Sequence, residues 1–263
     1  MRSDPLEKLL QSKKYRDVCP DTVRRIWAEC SAKYKKLRDV DKAAREALHG
    51  ITGAFLSPAE ASGIAWAMQS WHAGGHTDAQ LENILNKHAS TRERLPLEAM
   101  DALYRRIFEI TGPPGHVLDL ACGVNPIYLG ARGIPVTGVD ISGEAVRLVN
   151  AFGQNYDLPV SALCADLLCP GALPAGPFDV ALLFKALPLL ERQAQGAALR
   201  VLNAIPARCI AVSFPTRTLG GRNVGMAEHY TDWMAAHLPP DRSIRERFET
   251  RNELYFILDQ RRD

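Results

Sequence analysis

From residue 116 onward four short apolar runs recur, each separated from the next by helix-length sequence. They are His116-Val-Leu-Asp-Leu120, Val136-Thr-Gly-Val-Asp140, Phe178-Asp-Val-Ala-Leu-Leu-Phe184 and Cys209-Ile-Ala-Val-Ser-Phe214. Parallel strands cannot be joined by hairpins, and strands covered on both faces lose the apolar–polar alternation. The pattern therefore predicts an α/β fold, a parallel sheet with helices on both faces. Tyr255-Phe-Ile-Leu258 predicts a late strand, antiparallel at the sheet edge. Thr111-Gly-Pro-Pro-Gly115 is an emphatic stop that sets this half off from what precedes it.

Residues 1–95 read as helices, giving expected domains of 1–95 and 96–263. Pro20-Asp21-Thr22 signals a helix start. Val23, Ile26, Trp27, Cys30, Tyr34 and Leu37 then recur at three- and four-residue spacing as one apolar face. Lys13 to Glu46 holds eleven Lys/Arg against six Asp/Glu, while the whole chain of 263 residues carries only +2. Such a run is either a solvated helix face or a nucleic-acid contact.

Other classes are disfavoured. With 46% hydrophobic and 24% charged residues the composition is that of an ordinary soluble protein. The six cysteines form no CxxC pair, which predicts reduced, buried thiols and not a disulfide framework. His72 and His76 have i, i+4 spacing, but Gly74 and Gly75 lie between them, so no metal site is expected. Met-Arg-Ser-Asp-Pro-Leu lacks the apolar core of a signal peptide, and no run approaches the roughly 20 apolar residues of a membrane span. A cytoplasmic location is expected.

The first strand leads into Asp119-Leu-Ala-Cys-Gly123-Val-Asn-Pro126, and the second ends in Asp140, twenty-one positions after Asp119. Ligands of doubly wound sheets lie outside the carboxyl ends of the strands. There Gly123 permits close backbone approach, and Asp140 can accept from both ribose hydroxyls. Asp166 falls at the end of a third strand. Any one of these acids read alone is equally a strand-end cap; three in succession point to an adenosine ligand. A dinucleotide needs G-x-G-x-x-G for its pyrophosphate, whereas Ala121 and Asn125 flank Gly123 here. S-adenosylmethionine has no phosphate and suits the turn better, with NAD as runner-up.

Methyl transfer is an in-line displacement that chiefly requires positioning and exclusion of water. An exocyclic-amine methylator shows Asp/Asn-Pro-Pro-Tyr/Phe after the fourth strand; this chain has Phe184-Lys-Ala-Leu-Pro-Leu-Leu190. Cys169-Pro170 superficially fits a cytosine-C5 nucleophile, but it follows the third strand and reads better as a structural thiol. Guanine N7 already offers an in-plane lone pair and needs no base. Read alone, Lys185 is better taken as a surface lysine at a strand end and Glu191 as a helix-start residue.

Several segments are more specific than any generic cofactor motif. Ser12-Lys-Lys-Tyr-Arg16, Cys19-Pro-Asp-Thr-Val-Arg-Arg-Ile26, Leu48-His-Gly-Ile51, Ser90-Thr-Arg-Glu-Arg-Leu95, Leu120-Ala-Cys-Gly-Val-Asn-Pro126, Phe184-Lys-Ala-Leu-Pro-Leu-Leu-Glu191, Ser213-Phe-Pro-Thr-Arg-Thr-Leu-Gly-Gly221, Gly225-Met226 and Asn252-Glu-Leu254 span almost the whole chain. In them the sequence resembles the aminoglycoside-resistance 16S rRNA methyltransferases that modify N7 of guanine 1405. Val124, where relatives usually carry leucine, is a conservative departure.

The resemblance implies a Rossmann-like S-adenosylmethionine-dependent domain behind an N-terminal helical domain that docks on the 30S subunit; a monomer is expected. It implies that Arg94 pairs with the methionine carboxylate, Asp140 with the ribose and Asp166 with the adenine amino group. Asp119, Ala121, Gly123, Ile141, Leu167 and Phe184 complete the expected cofactor set. Lys185, Glu191 and Glu253 match positions that matter for activity. Lys13, Lys14, Arg16, Arg24, Arg25, Lys35, Lys36, Arg217 and Arg222 are the expected RNA contacts. A sister enzyme acting on another decoding-site base, or a silent RNA-binding module, stays open at this point.

Overall fold

The computed structural model describes residues 4–52, 56–73, 75–216 and 225–261. Three helices come first: α1 (Pro5–Leu10), α2 (Pro20–Lys33) and α3 (Leu37–Thr52). Leu9, Val23, Ile26, Val40, Ala44 and Leu48 close into a small core of their own. Pro20 occupies the first turn of α2, where a missing N–H costs nothing. The expected continuous face does not extend past Cys30. Tyr34 is extended at ψ 133°, so α2 ends before it. Tyr34 and Leu37 are left 46% and 62% exposed.

Helices α4 (Pro58–Ala73), α5 (Asp78–Leu85), α6 (Ala89–Arg92) and α7 (Leu97–Thr111) follow. Ile64, Met68, Trp71, Leu81 and Ile84 share one core with the strand residues Val117, Val136 and Val180. Packing therefore parts the chain between Thr52 and Pro58, earlier than the expected boundary at residue 95. The reason is that α4 and α5 bury their apolar sides against the sheet assembly and not against α1–α3. Gly112, at φ +86°, ends α7 in a conformation that disfavours other residues.

The remainder runs β1 (Val117–Leu120), α8 (Asn125–Ala131), β2 (Val136–Asp140), α9 (Gly143–Tyr156), β3 (Val160–Cys164) and β4 (Phe178–Phe184). It continues with α10 (Leu187–Gln193), α11 (Ala197–Ala204), β5 (Ala207–Pro215), α12 (Met226–Ala236), β6 (Arg242–Glu249) and β7 (Glu253–Gln260). The sheet order is β3-β2-β1-β4-β5-β7-β6. β1 to β5 pair in parallel; β7 is antiparallel to β5, and β6 to β7.

Alternate residues feed the two faces. Val180 and Leu182 pack with α7 to α9, Ala181 and Leu183 with α10 and α11. That two-sided burial is why the strands read as unbroken apolar runs. The last apolar strand is not the edge: β6 covers it. Six of the eight β6 residues, Arg-Ser-Ile-Arg-Glu-Arg-Phe-Glu, are polar or charged, the character of a guarded edge strand. The thiols also depart from expectation in part. All six are free, but Cys164 is exposed and Cys169 half-buried. Among the described residues no helix is long and apolar enough to cross a membrane.

Candidate cofactor and active site

Strand order reverses between β1 and β4, so their carboxyl ends open a crevice. The turn after β1 is tight: Ala121 and Gly123 both have φ of +52°. The Gly123 N–H donates to Asp140 Oδ2 at 2.7 Å, and the Ser142 N–H donates to Oδ1 at 2.8 Å. Those bonds fix the Asp140 carboxylate at the end of β2. Burial raises its pKa, and the backbone donors oppose the rise. A Cβ on Gly123 would stand 2.8 Å from His88 Cε1, so a side chain here would meet His88 as well as a strained backbone conformation.

A cavity of about 310 Å³ opens over this turn, within the roughly 300–1,000 Å³ of small-molecule sites. Seven of the nine expected cofactor residues line it: Ala121, Gly123, Asp140 and Ile141 from the first two strand ends, Asp166 and Leu167 after β3, and Phe184 at the end of β4. Asp119 and Arg94 stand behind the wall. Asp119 accepts from Asn125 Nδ2 at 2.6 Å, and Asn125 Oδ1 accepts from the Tyr104 hydroxyl at 2.8 Å. Burial pushes the Asp119 carboxyl up to about 7.

Arg94 lies under two wall residues, donating to the Ser90 carbonyl at 3.1 Å with its guanidinium 4.7 Å from the Phe184 ring centre. Its Nη2 donates to Glu253 Oε2 at 3.1 Å, while its buried Nε has no partner among the described residues. Glu253 also accepts from the Ser213 hydroxyl at 2.6 Å and the Tyr255 hydroxyl at 2.9 Å. Lys185, at φ +57°, pairs with Glu253 Oε1 at 3.3 Å and with Glu93. Burial would raise the Glu253 pKa, but the Arg94 and Lys185 charges prevail and hold it below the usual glutamate range.

Other expected residues fall elsewhere. Glu191 caps α11, accepting from the Gly196 and Ala198 N–H groups at 2.6 and 2.9 Å. Those bonds lower its pKa. It lines a neighbouring cleft that shares Lys185 and Leu189 with the cofactor cavity. Arg25 is not a free basic group, because all three of its nitrogens are bonded, to Asp166, Glu29 and Gln193. Lys13, Lys14, Arg16, Arg24, Lys35 and Lys36 are exposed. Arg16 and Arg24 pair with Asp17 and Asp21, and Lys14 Nζ lies 3.4 Å from His49 Nδ1. Arg217 and Arg222 lie outside the described residues.

Sequence reasoning missed His88, Ile51, Leu56 and Gln193 on the cavity wall. They carry no signal of their own, since each reaches the site from outside the strand-end motifs. The lining fits an adenosine ligand with an amino-acid tail. Apolar side chains offer a face for a base, and Asp140 and Asp166 offer acceptors; Arg94 stands behind that wall, with its buried Nε unpartnered among the described residues.

The chain is similar to known proteins along nearly its whole length. A 16S rRNA (guanine(1405)-N(7))-methyltransferase from Serratia marcescens is 40% identical over 257 residues, 97% of each chain. One of the same name from Micromonospora echinospora is 34% identical over 275 residues, 98% of this chain and 97% of that one. The crystal structure of the 16S rRNA methyltransferase RmtF in complex with S-adenosyl-L-homocysteine superposes with a TM-score of 0.87 at 42% identity, covering 98% of this chain and 97% of that chain. The 16S rRNA methylase RmtB gives 0.85 at 36% identity, covering 98% of both. A family model described as ribosomal RNA methyltransferase (FmrO) matches residues 11–247. The chain belongs to the FmrO family of ribosomal RNA methyltransferases.

Proposed function

We propose that this protein transfers the methyl group of S-adenosylmethionine to N7 of guanine 1405 in 16S rRNA of the assembled 30S subunit, as a cytoplasmic monomer. The observation that carries the reading is the cavity at the β1/β4 crevice, where seven expected residues meet around a carboxylate fixed by two backbone donors. Near full-length relatives of that name support the target.

When bound, S-adenosylmethionine supplies an electrophilic methyl group on a sulfonium. The chain's own task is placement. Asp140 offers its carboxylate to the ribose, Asp166 lies at the adenine end, and Arg94 faces the carboxylate tail. Glu253 and Lys185 act as positioning groups that hold Arg94 and the end of β4, and Glu191 does so by tying α10 to α11. The guanine N7 lone pair attacks without a base.

In A-form RNA, N7 faces a groove too deep and narrow for side chains. The base must therefore leave the stack, at a cost of roughly a few kcal/mol. Docking on a preformed ribosomal surface offsets that cost. Lys35 and Lys36, exposed in the link between α2 and α3 and without an ion-pair partner among the described residues, are suited to it. The product carries a new positive charge and lacks the N7 acceptor, so an aminoglycoside reading that edge loses a hydrogen bond and meets repulsion.

Two variants test the division of labour. Asp140→Ala is expected to weaken cofactor binding while 30S binding holds. Lys35→Glu with Lys36→Glu is expected to do the reverse. Equal loss of both affinities in Asp140→Ala would sink the cofactor reading; unchanged 30S affinity in the lysine pair would move docking to another face.

A further inference from the structure

The helical module is joined to the cofactor cavity by more than chain connectivity. The Cys19 N–H donates to the Ile141 carbonyl at 2.7 Å, and the Gly143 N–H donates to the Asp17 carbonyl at 2.7 Å. Val18 and Ser142 form an antiparallel bridge between them. Ile141 and Ser142 are cavity walls, so the segment before α2 is tied directly to them by this single bridge.

Arg25, one turn into α2, completes the junction. Its Nε donates to Asp166 Oδ2 at 3.0 Å, Nη1 to Glu29 Oε1 at 3.0 Å, and Nη2 to Gln193 Oε1 at 2.9 Å. Asp166 and Gln193 are cavity walls too, from the loop after β3 and from α10. The Arg25 and Asp166 side chains are only 13% and 4% exposed. The other Asp166 oxygen accepts from the Leu168 N–H at 2.9 Å, so the carboxylate is held from both sides. A planar guanidinium can span three acceptors in fixed directions; a lysine ammonium on a flexible stem cannot.

We infer that Arg25 is a positioning residue for the cofactor site, and not an RNA contact. It acts through Asp166 and Gln193, so the adenine end of the cavity is built jointly by the helical module and the sheet domain. The inference rests on the reading of the cavity as the S-adenosylmethionine site.

The test is calorimetric titration of the full chain with S-adenosylhomocysteine, using wild type, Arg25→Gln, Arg25→Lys, Asp166→Asn and the Arg25→Gln/Asp166→Asn double variant. Thermal unfolding and 30S affinity are measured alongside. Arg25→Gln is expected to weaken binding by about tenfold to a hundredfold, the range for a lost hydrogen bond to a charged group. Arg25→Lys should fall between it and wild type. KM for S-adenosylmethionine should rise while 30S affinity stays within about twofold.

In the Asp166→Asn background the same Arg25 change should add less than about twofold, since groups acting as a unit are not additive. Losses that multiply, or lost 30S affinity with unchanged S-adenosylhomocysteine binding, overturn the inference. Should Arg25→Gln not fold, Arg25→Lys carries the same comparison. A wild type that fails to bind S-adenosylhomocysteine refutes the cofactor reading itself, a result distinct from the others.

Discussion

Replacing Glu253 by glutamine removes one charge from a buried site. Glu253 is 1% exposed, and its carboxylate meets Arg94, Ser213, Tyr255 and Lys185. Glutamine keeps the size, but only one of its two terminal atoms accepts. The Arg94 guanidinium, 6% exposed and with Nε already unpartnered among the described residues, then loses its counter-ion. Breaking a buried pair from one side costs about 3–5 kcal/mol. At about 2–4 °C per kcal/mol for a chain near this size, Tm should fall by about 6–20 °C.

Because the folded Glu253 pKa is lowered, its contribution is present above the ordinary value of 4.5 and lost as pH falls through the lower folded value. The gap between wild type and Glu253→Gln, followed by calorimetry and urea unfolding, should therefore be full at pH 7 and shrink in acid. A Tm within about 2 °C of wild type at pH 7, together with collapsed turnover, would refute the positioning role and make Glu253 a catalytic group.

Gly123→Ala places a methyl group 2.8 Å from the His88 ring at φ +52°, so a stability loss of about 1–3 kcal/mol and a marked loss of S-adenosylhomocysteine affinity are expected in urea unfolding and calorimetry. Asp119→Asn should flatten the pH dependence of stability. The wild-type carboxyl rises from 3.8 to about 7 on folding, so the ligand-free protein should lose stability as pH climbs through that window, by up to about 4 kcal/mol at 1.36 kcal/mol per unit. Equal urea-midpoint slopes in both proteins between pH 5 and 8 would contradict this.

The strands at the centre of the sheet were legible because burial on both faces leaves unbroken apolar runs, as in Phe178–Phe184. The edge strand Arg242–Glu249 was not, because solvent on its outer side permits charges that hide it from the same criterion. The end of α2 was misread because Tyr34 and Leu37 kept the helical spacing after the backbone had turned extended. At the site, strand-end acids and Gly123 announce themselves locally. The role of Arg25 does not: a basic residue on a basic helix looks the same whether it meets solvent, RNA or a carboxylate 141 positions away. The Arg94–Glu253 pair, 159 positions apart, is hidden for the same reason.

Methyl transfer from labelled S-adenosylmethionine to intact 30S subunits, with naked 16S RNA as control and chemical cleavage at N7-methylguanosine as readout, tests the central claim. Label on the 30S subunit alone, with cleavage at guanine 1405, is the expected result. Label on naked RNA, or at another base or atom, would contradict the assigned target and the need for a folded docking surface.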